Sequence, residues 1–126
     1  VGGAHCGLIC DASFPTYLLT HWARDRRRGP NLPIEQVVQL QTANTAATYV
    51  MSDRGRLEPV LIADLNVIDF DGLHLPQPEY VNDLPNGAGR YVQRSEGYDY
   101  TLVNGAVFME RGEHTGALDG RLLRSN

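Results

Sequence analysis

The first half of the chain carries a helical pattern. Between Ser13 and Trp22, apolar and aromatic residues recur at helical spacing and predict one helix whose aromatic stripe packs in the core. Ser13 is expected to cap this helix, with Pro15 in its first turn. Gly29 and the proline after it end the helix. The stripe consists of Phe14, Tyr17, Leu18, His21 and Trp22.

Four arginines crowd the end of this helix. Cations suit a helix C-terminus, so the run is interpreted as a solvated helix end rather than an anion site. A second helix is expected to open at Pro33. Its pattern loosens near Thr42, where a further short helix reaching Tyr49 is predicted. The arginines are Arg24, Arg26, Arg27 and Arg28.

The second half is rich in predicted strands. The segment "ADLNVIDF", residues 63–70, predicts a strand in which Leu65 and Val67 share one face. Asn104-Gly105 lies between two β-rich runs and predicts a tight hairpin, with Val103 opposite the residue that follows the turn. Residues 72–89 are expected to be mostly loop with short extended pieces.

Composition limits the classes of protein that fit. The 126 residues suffice for one ordinary domain, and the net charge of -4 argues against a nucleic-acid partner. No apolar stretch is long enough to predict a membrane span or a membrane partner. Cys6 and Cys10 are interpreted as reduced thiols of a cytoplasmic protein, because a disulfide-built domain would hold more cysteines.

Three segments resemble the C-terminal part of the amidohydrolase superfamily. They are "GGAHCGLICDASFPTYLLTHWARDR", "ADLNVIDF" and "TLVNGAVFMERGEHTGALDGRLLR", and in collinear order they cover essentially the whole chain. The branch they resemble is the D-aminoacylase group, the N-acyl-D-amino-acid deacylases. The last segment is the most specific, since an Asn-Gly hairpin followed by Gly-Glu-x-Thr-Gly-Ala-x-x-Gly-Arg closes many members of that group.

This resemblance implies an α/β fold, a (β/α)₈ barrel joined to a small accessory β-sandwich. Residues 1–51 would form the last barrel turn and the helices after it. Residues 52–126 would form the strand-rich portion of the accessory β-sandwich and the C-terminal tail. The resemblance also implies one or two divalent metals, usually zinc, in the whole enzyme, with none expected on this chain alone.

The resemblance places substrate-side candidates near the start of the chain. The group reads Asp-Gly-Gly-Ala-His there, with a catalytic Asp at the position of Val1, so no complete catalytic set and no metal ligands are expected. His5 is a candidate substrate-side group or a turn histidine. Gly2 and Gly3 could present backbone N–H groups to substrate or simply form a tight turn. Asp11 could line the barrel mouth or, as favoured, bond the helix start.

Two valines stand where the group often has glycine. Val50 follows a tyrosine and Val60 follows a proline, both at predicted turns. Glycine would allow a positive φ at these positions, whereas valine tolerates it poorly. If both turns persist, strained valines are expected.

Two functions remain open from the sequence. The first is part of a metal-dependent amidohydrolase that hydrolyses N-acyl amino acids, with the missing N-terminal half required and this chain inactive alone. The alternative is a catalytically dead binding or assembly module. Such a module would form a homo-oligomer through its exposed helix stripe and strand edges.

Overall fold

The computed structural model describes residue 5 and residues 7–123. The α-helices of the described residues lie in the first half, as predicted, and a short 3-10 turn at Pro85–Gly87 lies in the second half. The first helix, residues 11–25, begins with a 3-10 turn, continues as one α-helical turn and ends as a π-helix. Its parts are Asp11–Ser13 (3-10), α1 at Phe14–Tyr17 and Leu18–Asp25 (π), and it is followed by α2 at Ile34–Gln41 and α3 at Ala43–Thr48.

Strands make up two antiparallel sheets in the second half. One sheet has four strands in the order β1-β4-β5-β6, and the other pairs β2 with β3. The described residues therefore form a mixed α/β fold, while the barrel and the β-sandwich stay predictions. The strands are β1 Leu65–Ile68, β2 Glu79–Val81, β3 Arg90–Val92, β4 Tyr98–Val103, β5 Ala106–Glu110 and β6 Glu113–His114.

The predicted hairpin between β4 and β5 is confirmed. Asn104 and Gly105 both have positive φ, 52° and 83°, as a tight primed turn requires. Val103 pairs with Ala106, and the next pair outward is Leu102 with the residue after Ala106, which is the predicted register. The tip is also tied to the start of β1, because the Asn104 N–H donates to a carboxylate oxygen of the residue at position 64.

Strand β1 is confirmed, and its alternation is interrupted only before its last residue. Leu65 and Ile68 are half-buried, whereas Asn66 and Val67 are exposed. The pairing of β1 with β4 is regular from Leu65 to Val67, so these two residues share one face as predicted, although Val67 is the more exposed of the two. The pairing with β4 is irregular between Val67 and Ile68, and this irregularity changes the position of Ile68 relative to Asn66.

The first helix buries a different face from the one predicted. Thr16, Leu19 and Thr20 are buried, while Tyr17 of the aromatic stripe is 44% exposed. The threonines tolerate burial because their hydroxyls are bonded. Thr16 Oγ1 lies 2.8 Å from Tyr98 Oη, and Thr20 Oγ1 donates to the carbonyl of Thr16 at 3.1 Å.

Ser13 precedes α1 but does not cap it through its side chain. Its hydroxyl donates instead to Gln93 Oε1 at 2.5 Å. Gln93 in turn donates from Nε2 to the carbonyl of Pro76 at 2.8 Å. The capping prediction was wrong because a partner 80 residues away along the chain competes for the same hydroxyl.

The core is small and joins the helices to the strands. Leu19, Val37 and Leu73 are its buried members. Gly97 lies directly beneath Leu73, with φ of +95° and no space for a side chain. The chain exposes 9619 Å² of surface, against ~6700 Å² for a compact folded monomer of this length. Much apolar side-chain surface therefore stays uncovered.

Both valine turns persist with the conformation that favours glycine. Val50 has φ of 57° and Val60 has φ of 70°. A β-branched side chain in this left-handed region is strained. Val60 is fully exposed, so packing does not compensate the strain there.

None of the helices in the described part of the chain is long and apolar enough to cross a bilayer.

Candidate functional site

The substrate-side candidates are only partly visible in the structure. Gly2 and Gly3, like Val1, lie outside the described residues. His5 is exposed in a turn with φ of 56°, where its carbonyl accepts the N–H groups of Leu8 at 2.8 Å and Ile9 at 3.1 Å. Whether His5 meets substrate stays a prediction.

Asp11 lines an open cleft of about 560 Å³ beside the first helix. Its carboxylate is half-buried and makes no hydrogen bond to a described residue, so the favoured capping role is not seen here. The opposite wall comes from residues 74, 75 and 93, which sequence reasoning did not find. Sequence spacing does not indicate which side chains 60 to 80 residues apart will face each other. The cleft is lined by Cys10, Asp11, Ser13, Phe14, Tyr17, Thr20, His21, Arg24, Asp25, His74, Leu75 and Gln93.

Aromatic rings form one side of the cleft. Tyr17 and His21, one turn apart on the first helix, stack with centroids 4.9 Å apart and planes 5° from parallel. Trp22 meets the His21 ring edge-on at 5.5 Å. The Arg26 guanidinium lies 4.6 Å from the Trp22 ring centroid and completes the row by a cation–π contact.

Arg24 was predicted to lie in solvent at the end of the first helix, and this was wrong. Its side chain instead joins the helix to the loop after β1. Its Nε and Nη2 donate to the two carboxylate oxygens of Asp25 at 2.8 and 3.0 Å. Its Nη1 donates to the carbonyls of Phe70 and Asp71, and Nη2 also donates to the carbonyl of Leu73 at 2.8 Å. All five guanidinium N–H groups are thus used. They fix the helix end to the loop after β1.

Ion pairs set the pKa values of three aspartates. In each, hydrogen bonds from a neighbouring arginine favour the ionised carboxylate and lower its pKa below the ordinary value. The pKa of Arg24 is raised by the same contact. The pairs are Asp25 with Arg24, Asp53 with Arg54 and Asp83 with Arg90.

The described residues do not fit a metal ion. Nowhere in residue 5 and residues 7–123 do three His, Cys, Asp or Glu side chains gather so that they could hold one. Cys10 is a free, half-buried thiol, and Cys6 lies outside the described residues. No reaction step is therefore derived through a metal on these residues.

The fold and the cleft together define an α/β protein with a small-molecule-sized cleft beside its first helix. Residues 4–109 match the amidohydrolase family along most of the sequence. The chain belongs to this family.

A curated relative extends the comparison. It is a 5-methylthioadenosine/S-adenosylhomocysteine deaminase from Pelotomaculum thermopropionicum, 33% identical over 81 residues. The match covers 64% of this chain and 18% of the relative, so the chain spans about a fifth of the length of that relative. No solved structure matches the chain.

Proposed function

We propose that the chain is the C-terminal part of a metal-dependent amidohydrolase that hydrolyses N-acyl amino acids, as the D-aminoacylase group does. One observation carries the proposal. Residues 4–109 match the amidohydrolase family, yet the described residues gather no metal-binding cluster. The metal and the groups that act with it would then come from residues outside the described part. The reaction would break an amide C–N bond and release a carboxylate and an amine.

The large exposed surface supports a role within a larger body. The excess of the 9619 Å² over the compact value is about 3000 Å² on this chain alone, at or above the roughly 1000–2500 Å² that one partner buries in an obligate interface. Part of the exposed surface is apolar side chain on α2, which exposes Ile34, Val38 and Leu40. A further stretch of polypeptide against this face would remove that surface from water.

Deamination is the second candidate reaction. The curated relative is named a deaminase, whereas the resemblance to deacylases rests on the hairpin and the Gly-Glu-x-Thr-Gly-Ala-x-x-Gly-Arg segment. Both reactions hydrolyse a C–N bond, and they differ in the carbon attacked and in the group released. Substrate assays therefore separate them directly.

The test compares the 126-residue chain with the product of the complete reading frame that contains it. Both are incubated with zinc and either N-acetyl-D-amino acids or S-adenosylhomocysteine, and amine or ammonia release is measured. We expect release of free amino acid by the longer product and none by the 126-residue chain. Ammonia release from the nucleoside would favour deamination, and turnover by the 126-residue chain would contradict the proposal.

The assembly-module alternative predicts different solution behaviour. A reading frame that encodes only these residues, together with a monodisperse oligomer that unfolds cooperatively, would favour it over catalysis. Sedimentation velocity and urea unfolding give these readouts. Binding of a hydrophobic dye and aggregation would instead fit a portion whose covering residues are missing.

A further inference from the structure

Asparagine followed by glycine occurs twice in the sequence, at residues 86–87 and at residues 104–105. We infer that Asn86 is a site of spontaneous deamidation, which converts its side-chain amide to a carboxylate, and that the fold protects Asn104 from the same reaction. The inference concerns a chemical modification of this chain itself. It is independent of the proposed hydrolysis, because the reaction needs water and no other partner.

The reaction depends on a glycine that can approach the asparagine side chain. The backbone nitrogen of Gly87 attacks Cγ of Asn86, so an N–C bond forms, the Cγ–Nδ2 bond breaks, and ammonia leaves with the proton of the glycine N–H. Water then opens the cyclic imide at either carbonyl and leaves aspartate or isoaspartate. Glycine favours this ring closure, since it has no side chain to obstruct the attack. Isoaspartate adds a methylene group to the main chain and would alter the connection between β2 and β3.

The two asparagines are alike in exposure and in backbone conformation. Both are exposed, and both lie in the left-handed region, with φ of 61° at Asn86 and 52° at Asn104. The glycines that follow them also share a positive φ, 72° and 83°. Exposure and backbone conformation therefore do not separate the two sites. A difference in rate must come from how firmly each turn is held.

The turn at Asn104 is bonded to residues outside it. The Asn104 N–H donates to Oδ1 of Asp64 at 2.8 Å, and the Gly105 N–H donates to the carbonyl of Ala63 at 2.9 Å. The second bond occupies the nitrogen that would attack. The turn also joins β4 to β5 inside the four-stranded sheet. Attack therefore requires the hairpin tip to separate from the residues just before β1.

The turn at Asn86 is held by longer bonds within the turn itself. The Gly87 N–H donates to the carbonyl of Leu84 at 3.2 Å, and the Ala88 N–H donates to the carbonyl of Pro85 at 3.4 Å. A Cβ built on Gly87 would meet no described atom within 4 Å. The turn connects β2 and β3, which form a sheet of two strands, and such a sheet is marginally stable alone. Asn86 can therefore reach the reactive conformation by a small local opening.

The experiment follows both sites in one sample. The 126-residue chain is incubated at mildly alkaline pH, in native buffer and in concentrated urea, and is then digested with trypsin. Trypsin leaves the two sites in separate peptides, residues 57–90 and 95–111. Tandem mass spectrometry measures the conversion of amide to acid at each asparagine, and protein isoaspartyl methyltransferase labels the isoaspartate. A sample digested without incubation gives the conversion that digestion itself causes.

In native buffer we expect Asn86 to convert at least about tenfold faster than Asn104, since breaking two hydrogen bonds lowers the open population of the second turn by about this factor. In urea the two rates should be similar. Asp64→Ala removes the acceptor of the Asn104 N–H and should speed conversion at Asn104 by about threefold or more. Asp53→Ala is the matched control. It removes the other aspartate partner of Arg54, leaves the Asn104 contact in place, and should leave both rates unchanged.

Two results would overturn the inference. One is conversion at Asn86 that is no faster than conversion at Asn104 in native buffer. The other is the same ratio of the two rates in native buffer and in urea, which would assign the difference to the neighbouring sequence rather than to the fold. Both results come from the parent chain, so they stand even where Asp64→Ala fails to fold. Because no turnover is measured, an inactive complete reading frame would refute the proposed hydrolysis without affecting this result.

Discussion

At the scale of residues, two valines adopt a backbone conformation that favours glycine. Val50 and Val60 keep the positive φ of the turns that glycine usually forms, at 57° and 70°. The turn geometry is therefore held by the surrounding backbone, while the side chain opposes it. Each turn stores strain that a glycine would release.

Replacing Val60 by glycine should stabilise the chain. Relief of the left-handed strain is worth about 1–2 kcal/mol, and the extra freedom of glycine in the unfolded state offsets about 0.5–1 kcal/mol of this. A net gain of about 0.5–1 kcal/mol is expected from urea unfolding. Val67→Gly is the control, because Val67 is an exposed strand valine without positive φ, and it should lose stability.

Arg24→Lys should destabilise the chain by about 2 kcal/mol, because an ammonium cannot reach three carbonyls and a carboxylate together. Arg28→Lys, at an exposed arginine of the same run, should change the unfolding midpoint little. Equal midpoints for both variants would show that the link contributes nothing to stability.

At the scale of elements, the loop after β1 contacts the residue before β4, where Leu73 lies against Gly97. A Cβ on Gly97 would lie 2.7 Å from the Cα of Leu73, and the Gly97 carbonyl accepts the N–H of Asp69 at 2.9 Å. Leu73 is a core residue, so this contact aligns the loop with the core. Only glycine fits the position.

Gly97→Ala should cost more than about 2 kcal/mol, since it combines backbone strain with a clash against main chain. Gly87→Ala is the matched control. Gly87 also has positive φ, +72°, but nothing lies within 4 Å of its added Cβ. Thermal unfolding of the two variants separates the clash from the strain, and equal losses would contradict the contact.

Elements were predictable where the signal is local. The Asn104-Gly105 turn sets its hairpin through the φ of two adjacent residues, and α2 starts after Pro33 as expected. The buried face of the first helix was not predictable, because it depends on Tyr98 meeting Thr16 across 82 residues. The far wall of the cleft was missed for the same reason. Glycine-like turns at Val50 and Val60 were predicted from the resemblance.

At the scale of the whole molecule, the structure has little core and much surface. A handful of buried apolar side chains, including Leu19, Val37 and Leu73, joins helices to strands. The ion pairs described above do not take over this role, because they join residues close in sequence, as Asp25 does with Arg24 and Asp83 with Arg90.

Stability should fall in acid through the aspartate pairs. The pKa of Asp25 is lowered in the folded chain by its hydrogen bonds to Arg24, so the pair stabilises the fold above the unfolded pKa of about 4. That contribution is lost as the pH falls through the lower folded pKa. The difference in urea midpoint between the parent and Asp25→Asn should be constant from about pH 7 to 5 and shrink below pH 4. A difference that is unchanged at about pH 3 would contradict the pairing.

The way Arg24 holds the loop after β1 bears on how this protein can diverge. The guanidinium donates hydrogen bonds to the backbone carbonyl oxygens of Phe70, Asp71 and Leu73. Every amino acid has such a carbonyl, whatever its side chain. Descendants can therefore exchange the exposed Asp71 for other residues without losing the link, whereas the arginine has no substitute with the same five donors. We therefore expect substitutions to be tolerated in the loop after β1 and not at Arg24.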